Sequence, residues 1–379
     1  MDFALDASQE LVQRNARDVA RRVLLPIAAE IDRSGRFPSA ELRELSAAGL
    51  MGVNVPEQYG GSAAGVVAYS LALQEVAAVC ASSAVTMAVT NMVAEVIACF
   101  GTEAQRRRYL PGLCSGQLVA GSFALSEAGA GSDPGSMRSV ALEDADGFVL
   151  NGEKQWITSG DRAGVLVVWA RTGGPGTRGL SCFLVEPSTP GFSVTRVEDK
   201  LGLCGSSTVS LAFDACRLSR EVLLGELGDG FKIAMMALDG GRIGIASQAL
   251  GIARAAHEES VAYARGRVQF GRPIADFQAI QWMIADSETE LSAARLLTLQ
   301  AAALKERAEP FSQAAAMAKL FASEAAFHIC DRNLQIHGGA GYVREFAAER
   351  HVRDVRVTRI YEGTSEIQRL VIARAALQR

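Results

Sequence analysis

The chain has 379 residues, 49% of them apolar and 21% charged, which separates it from disordered and low-complexity sequences and allows two or three domains around a large core. Its net charge is −4 with acids and bases interspersed, so no basic face marks nucleic acid or an anionic membrane as a partner. Seven cysteines lack CxxC spacing, which fits a reducing compartment, and four histidines form no HxxxH pair, so no metal site is expected.

The opening "MDFALDASQELVQ" has neither the basic-then-apolar order of a secretory signal nor the Arg/Ser-rich look of a transit peptide, so a cytoplasmic, bacterial-type location is expected. From 1 to 118 apolar residues recur at helical spacing, as in Leu42, Leu45 and Leu50, and Ser39 is expected to cap a helix. "GVNVPEQYGG" reads as a loop. The stretch 76 to 94 carries no charge and could just span a bilayer, but its Ala, Ser, Thr and Asn content and the flanking Glu75 and Glu95 favour a buried helix and no membrane span.

From 119 to 228 the period shortens. "GFVLNGEKQWIT", "AGVLVVWART", "GLSCFLVE", "FSVTRVED" and "VSLAFDACRL" are β-branched or aromatic runs, and Asp146-Gly147 and Asn151-Gly152 are read as turns between them. They predict an antiparallel β-domain, barrel or sandwich. From 229 to 379 helical periodicity returns, notably over 276–308 and 312–336, with loops at "GRVQFGRP" and "QIHGGAGY". The fold class expected is multidomain α+β: a helical domain (1–118), a β-domain (119–228) and a C-terminal four-helix-bundle domain (229–379).

Several familiar signatures are missing. Neither "GAGSDPG" nor "GGAGYVRE" completes GxGxxG or lies in a βαβ unit, which excludes a Rossmann site. "GRVQFGRP" ends in Arg-Pro rather than Lys-Ser/Thr, and there is no GxSxG elbow, so nucleotide and serine-hydrolase chemistry lack support.

What remains is a set of glycine-rich and aromatic loops. In "YEGTSEIQR", Gly363 permits a positive φ beside Glu362, and Ser365 with Gln368 has the spacing of a capping box opening a helix. A carboxylate held on such a turn, if shielded from water, has its pKa raised toward neutrality and suits proton abstraction next to a carbonyl; a lone Glu-Gly-Thr turn is otherwise most often a solvated cap. "FALSEAGAGSD" is a strand entering a small-residue loop whose amides can approach a ring or phosphate. Trp156 and Thr158, two apart on a strand, would share a face. Arg267 offers a guanidinium fork beside the Phe270-Gly271 turn, and Asp239 and Arg242 flank a glycine pair, an arrangement that on its own is a surface ion pair of little worth.

Six stretches, "FALSEAGAGSD" (123–133), "WITSG" (156–160), "LDGGRIGIASQALGIA" (238–253), "RVQFGRPIADFQAIQ" (267–281), "QIHGGAGY" (335–342) and "IYEGTSEIQR" (360–369), run in order across nearly the whole chain and resemble the acyl-CoA dehydrogenase family. The third and last most resemble its short-chain, butyryl-CoA-type branch. The resemblance implies an FAD-dependent oxidoreductase of fatty acid metabolism that turns an acyl-CoA into its trans-2-enoyl form, passes electrons to an electron-transferring flavoprotein, and assembles as a homotetramer. A flavin enzyme of this fold acting on a carrier-protein thioester or using oxygen, or a non-catalytic flavin-binding paralogue, are the alternatives, and retention of Glu362 weighs against the oxygen-using branches.

The resemblance also implies roles for single residues. Glu362 takes the α proton, and its backbone N–H shares the thioester carbonyl with a flavin hydroxyl. Relatives that carry the base on the earlier helix place it at the position of Gly241, which here has no side chain. Phe123, Leu125, Ser126, Ser132, Trp156 and Thr158 would hold the flavin, and Arg267, Phe270 and Gln278 the adenine half. Gln335, Ile336, His337, Gly338 and Gly339 would reach a neighbouring subunit's FAD, and Thr364, Ser365 and Glu366 would offer helix-start amides to its phosphates. Ser132, Asp239, Gly240, Gly241, Arg242, Tyr361 and Gly363 would line the acyl-CoA. Ala128 and Cys204 depart from the proline and arginine common in relatives.

Overall fold

The computed structural model describes residues 4–378. Six helices come first: α1 (Ala7–Val19), α2 (Ala28–Ser34), α3 (Ser39–Ala47), α4 (Val66–Val79), α5 (Ala81–Phe100) and α6 (Glu103–Ser115). Asp6 and Gln9 close a capping box on α1. Ser39 is instead the first helical residue of α3: Pro38, with φ −84°, holds the cap position, and no side chain caps that end. The uncharged stretch 76–94 is two helices rather than one, because Cys80 adopts an extended conformation (φ −146°, ψ 99°) that ends α4 and starts α5. Helix α5 is long and apolar enough to cross a membrane by length and composition, but 78% of its apolar window is buried inside the fold. Its one amide is fully used: Asn91 donates to the Leu50 and Met87 carbonyls and accepts from the Val53 N–H, so this buried polar group is satisfied.

The middle segment forms one eight-stranded sheet: β1 (Gly121–Ala124), β2 (Val140–Glu143), β3 (Gly147–Thr158), β4 (Val165–Arg171), β5 (Leu180–Val185), β6 (Phe192–Val197), β7 (Thr208–Ser219) and β8 (Leu223–Leu224). The order is β6-β7-β3-β2-β4-β5-β8, with β1 beside β4. Most pairs are antiparallel, but β1 runs parallel to β4, which makes the sheet mixed. Asn151-Gly152 is not a turn. It lies inside β3 at a bulge, where Asn151 Oδ1 accepts the Ala215 N–H at 2.8 Å and keeps the strand continuous.

Beyond the sheet runs α7 (Gly230–Gly266), 37 residues long. The hairpin β9 (Val268–Gln269) and β10 (Arg272–Pro273) occupies the expected "GRVQFGRP" loop, followed by α8 (Gln278–Glu306), α9 (Ser312–His337), α10 (Ala348–Val355) and α11 (Ser365–Leu377). Helix α7 packs on α4 and α5 from the first zone as well as on α8 and α9. Small residues along it, among them Gly240, Gly241, Gly244 and Gly251, let these neighbours approach: a Cβ at Gly251 would stand 2.3 Å from the Gln74 carbonyl. The sheet docks through Trp169 on β4, whose indole N–H donates to the Gly230 carbonyl at 2.7 Å at the start of α7. One hydrophobic core therefore threads all three zones, with Val93, Trp169 and Ile243 in the same cluster.

Candidate active site

The segment between α10 and α11 turns sharply. Glu362 (φ 51°) and Gly363 (φ 92°) are both left-handed, and only the glycine does this freely. Three side chains hold the turn through four hydrogen bonds. Lys319 on α9 donates to the Gly363 carbonyl at 2.7 Å, Gln368 Nε2 donates to the same oxygen at 2.9 Å and to the Glu362 carbonyl at 3.3 Å, and the Tyr361 hydroxyl donates to Gln248 Oε1 on α7. The expected Ser365–Gln368 capping box does not form. Thr364, in β-region geometry, is the N-cap and accepts the Ile367 N–H; Ser365 donates to Glu324 at 2.6 Å, and Gln368 serves the carbonyls that the left-handed turn leaves free. Glu366 is exposed on the first turn of α11.

The carboxylate of Glu362 points back against α7. A Cβ built on Gly241 would lie 2.1 Å from its Oε2 and 3.1 Å from the Met92 sulfur of α5. Oε2 is shut off from solvent and has no hydrogen-bond partner among the described residues. Burial of this unsolvated oxygen pushes the Glu362 pKa up to about 7, with Lys319 and Arg242 pulling the other way. The Glu362 N–H also bonds no acceptor within the described residues. An ionisable oxygen and a free N–H thus sit on one turn, the pairing needed to take a proton while holding a neighbouring carbonyl.

Around this carboxylate stand the α7 residues that the sequence singles out, Asp239 to Arg242. Gly240 and Gly241 are buried, and Arg242 is only 5% exposed, paired with Asp239, which also accepts from Ser312. Arg242 of this pair is therefore enclosed and acts on Glu362 rather than lying on the surface, and its Nε is buried without a partner among the described residues. One turn on, a Cβ at Gly244 would meet the Tyr69 hydroxyl at 2.8 Å, and one at Gly240 would meet Lys305, which pairs with Glu95 at 2.6 Å.

A second group gathers at the sheet edge. The Ser126 carbonyl accepts the Gln155 N–H at 2.9 Å, and Ser122 Oγ donates to the Thr158 carbonyl at 2.7 Å, so the loop after β1 is fastened to the end of β3. Beneath it Lys154 pairs with Glu127 at 2.8 Å and reaches the Leu125 carbonyl, while Glu127 accepts the Arg138 and Ser139 N–H groups and ties down the far side of the loop. Trp156 and Thr158 do not follow simple alternation. A bulge separates Lys154 from Ile157, Trp156 sits in it at φ 63° with 58% of its surface exposed, and Thr158 is half-buried. Phe123 packs on Trp169 with ring centroids 4.3 Å apart and the planes tilted by 47°, Leu125 is buried, Ser126 half-buried and Ser132 exposed, and extra Cβ atoms at Gly129 and Gly131 would meet nothing within 4 Å. An uncovered ring on a strained bulge, a hydroxyl two residues on, and an unobstructed glycine loop fit a flavin laid across this edge.

The third group stands apart. Arg267, Phe270 (94% exposed) and Gln278 project from the hairpin and the start of α8. Gln335, Gly338 and Gly339 are exposed at the end of α9, whereas Ile336 is buried and His337 stacks on Tyr263 at 4.1 Å with Nδ1 beside the Asn333 carbonyl. No hydrogen bond or ring contact among the described residues joins this group to Phe123–Thr158. Cys204 lies 3.8 Å from Arg353, which already pairs with Asp32, so a guanidinium does stand near that corner, brought from α10. Ala128 is exposed in the tight Glu127–Ala130 turn.

Sequence reasoning missed Lys319, Tyr69, Met92 and the Glu95–Lys305 pair. Lys319 left a legible signal: it stands among Ala315, Ala318, Ala322 and Ala326, on the buried stripe of α9, where a lysine is out of place.

Three family descriptions cover the chain in order: "Acyl-CoA dehydrogenase, N-terminal domain" over residues 6–117, "middle domain" over 122–216 and "C-terminal domain" over 228–377. The chain belongs to the acyl-CoA dehydrogenase family and is an oxidoreductase. Within it, the chain is 48% identical over 371 residues to the mitochondrial short-chain specific acyl-CoA dehydrogenase of Bos taurus, covering 97% of this chain and 90% of that one. The butyryl-CoA dehydrogenase of Megasphaera elsdenii superposes with a TM-score of 0.97 at 41% identity, over all of both chains. A structure described as the electron transferring flavoprotein of Acidaminococcus fermentans gives 0.98, also at 41% identity and over all of both chains.

Proposed function

We propose that this protein dehydrogenates a short-chain acyl-CoA to the trans-2-enoyl-CoA and passes the electrons to an electron-transferring flavoprotein. FAD, when bound, supplies the acceptor for the β hydride. The observation that carries the reading is the solvent-shielded, unpartnered Oε2 of Glu362 beside a free backbone N–H on the same turn. Glu362 removes the α proton at that oxygen, and its N–H binds the thioester carbonyl, drawing charge away from the carbon that loses the proton. A base with a pKa of about 7 is ionised in a useful fraction at neutral pH and holds the proton once it has it.

Phe123, Leu125, Ser126, Ser132, Trp156 and Thr158 hold the isoalloxazine at the sheet edge. Arg267, Phe270 and Gln278 receive the adenine half, and Gln335 to Gly339 with the Thr364–Glu366 helix start complete the cofactor site across a subunit boundary. The exposure of Arg267, Phe270, Gln278, Gln335, Gly338, Gly339 and Glu366 in one protomer, and the lack of contact with the sheet-edge group, support a site shared between copies of the chain, which we read as a homotetramer. Ser132, the Asp239–Arg242 segment, Tyr361 and Gly363 line the acyl-CoA. We divide the chain at 118/119 and 228/229, and assign it to the cytoplasm and to fatty acid metabolism.

Anaerobic mixing with butyryl-CoA tests the reading. The flavin band should bleach within seconds, and Glu362→Gln should retain FAD and fail to bleach; a variant that bleaches normally overturns it. A panel of acyl-CoAs and one acyl-carrier thioester, scored by the same bleaching, fixes the chain length and carrier.

A further inference from the structure

Lys319 has no assigned role, and its position is costly. It is 0% exposed, in the middle of α9 among alanines, and burial, helped by the Arg242 charge, pulls its pKa down to about 8 despite the carboxylates of Glu362, Glu324 and Glu366. Its one hydrogen bond among the described residues goes to the Gly363 carbonyl at 2.7 Å, which Gln368 already satisfies at 2.9 Å. A neutral residue would therefore leave no orphan carbonyl. What only a lysine brings is a charge, and that charge faces Glu362.

We propose that Lys319 is a positioning residue of the reaction: its ammonium pins the Glu362–Gly363 turn through the Gly363 carbonyl and keeps the base ionised without bonding the oxygen that takes the proton. The geometry separates the two duties. A lysine bonded directly to Oε2 would compete with the α proton; one bonded to the next carbonyl acts through space and leaves Oε2 free. The groups facing Glu362 are Lys319 from α9, Arg242 from α7, the Tyr69 hydroxyl from α4 and its own neighbour Tyr361; those facing Lys319 are Glu362, Arg242, Glu324 and Glu366. Arg242 is tied to Asp239, which offsets its charge, and the two tyrosines stay neutral, because burial and then the Glu362 charge push their pKa values up. Among the described residues, Lys319 is thus the cation near the base that has no carboxylate hydrogen-bonded to it.

The inference rests on Glu362 being the base, and the experiment separates the two. Lys319→Gln keeps a donor for Gly363 but removes the charge; Lys319→Arg keeps the charge. Two readouts are taken on the purified flavoprotein: the pH dependence of the butyryl-CoA bleaching rate, and the infrared carboxylate titration of Glu362, isolated by difference against Glu362→Gln with no substrate present. With Lys319→Gln, loss of a nearby cation should move both midpoints alkaline by about one pH unit, which lowers the rate at pH 7 about fivefold while the plateau near pH 9 is kept. Lys319→Arg should stay close to the wild-type midpoint. A Lys319→Gln midpoint equal to wild type, or an Arg variant displaced as far as the Gln variant, overturns the inference. Glu362→Gln that still bleaches overturns the proposed function instead.

Discussion

Glu362 and Gly241 are packed so closely that a single methyl cannot come between them: a Cβ on Gly241 would stand 2.1 Å from Oε2 and 2.9 Å from Cδ of Glu362. The two positions share one volume, and in this chain the carboxylate enters it from the 362 side. Gly241→Ala should therefore push the proposed base aside. Alanine favours a helix interior over glycine by about 1 kcal/mol, so the fold is expected to tolerate the change. Misplacement near 1 Å costs on the order of 100-fold in rate. FAD content and melting temperature should stay close to wild type while bleaching by butyryl-CoA slows by about that factor; an unchanged rate would mean the carboxylate is mobile.

The raised pKa of Glu362 carries a stability cost that can be read directly. Its folded value of about 7 lies above the ordinary 4.5, so between these values the folded state binds more protons than the unfolded state. Stability from this group is complete below about 4.5 and is lost as pH rises through about 7. Glu362→Gln, which cannot ionise, should be more stable than wild type by about 1–3 kcal/mol at pH 8 and converge with it near pH 4.5. Urea unfolding at the two pH values, at equal protein concentration, checks this.

Glu75 behaves in the opposite sense. It is buried on α4, where burial alone would raise its pKa, yet Arg254 and Arg17 outweigh this and bring it down to about 2. Four guanidinium bonds of 2.7–3.1 Å and Gln13 converge on it, joining α1, α4 and α7. Its stabilisation is present above about 4.5 and disappears as pH falls through about 2. Glu75→Gln strands two guanidinium groups and should cost about 3–5 kcal/mol at pH 7. Denaturation midpoints at pH 7 and pH 3 should show a smaller penalty at the lower pH.

Trp156 separates cofactor retention from folding. Its ring is 58% exposed, so Trp156→Ala removes little from the core. Aromatic stacking is worth about 0.5–1.5 kcal/mol, which predicts FAD binding weakened up to about tenfold. Fluorescence titration of the apoprotein with FAD measures the first, and the apoprotein melting temperature, expected unchanged, the second.

The helical and sheet zones were legible because their periodicities differ, and β3 is Gly147–Thr158, the very run its β-branched and aromatic residues mark. The break at Cys80 was not, since neither glycine nor proline marks it and the chain is uncharged on both sides of it. Asn151-Gly152 misled for the converse reason: a dipeptide that favours hairpin turns also favours a bulge, and only the pairing of β3 with β7 across it decides between them. Glu362 and Gly363 were readable from their motif, but the left-handed φ of Glu362 itself was not, because it is imposed by Lys319 and Gln368 from elsewhere in the fold. The burial of Arg242 likewise belongs to a helix, α7, that packs on α4, α5, α8 and α9, a long-range fact that local spacing does not contain.

The clamp on residues 361–363 draws on α7, α9 and α11 at once, all through groups of the protein itself. The turn that carries the proposed base is therefore part of the scaffold, and substrate binding energy is not needed to assemble it. Thioesters trimmed of their nucleotide tail should surrender affinity rather than speed at saturation, as expected of a preassembled machine and not of one that closes around its cargo.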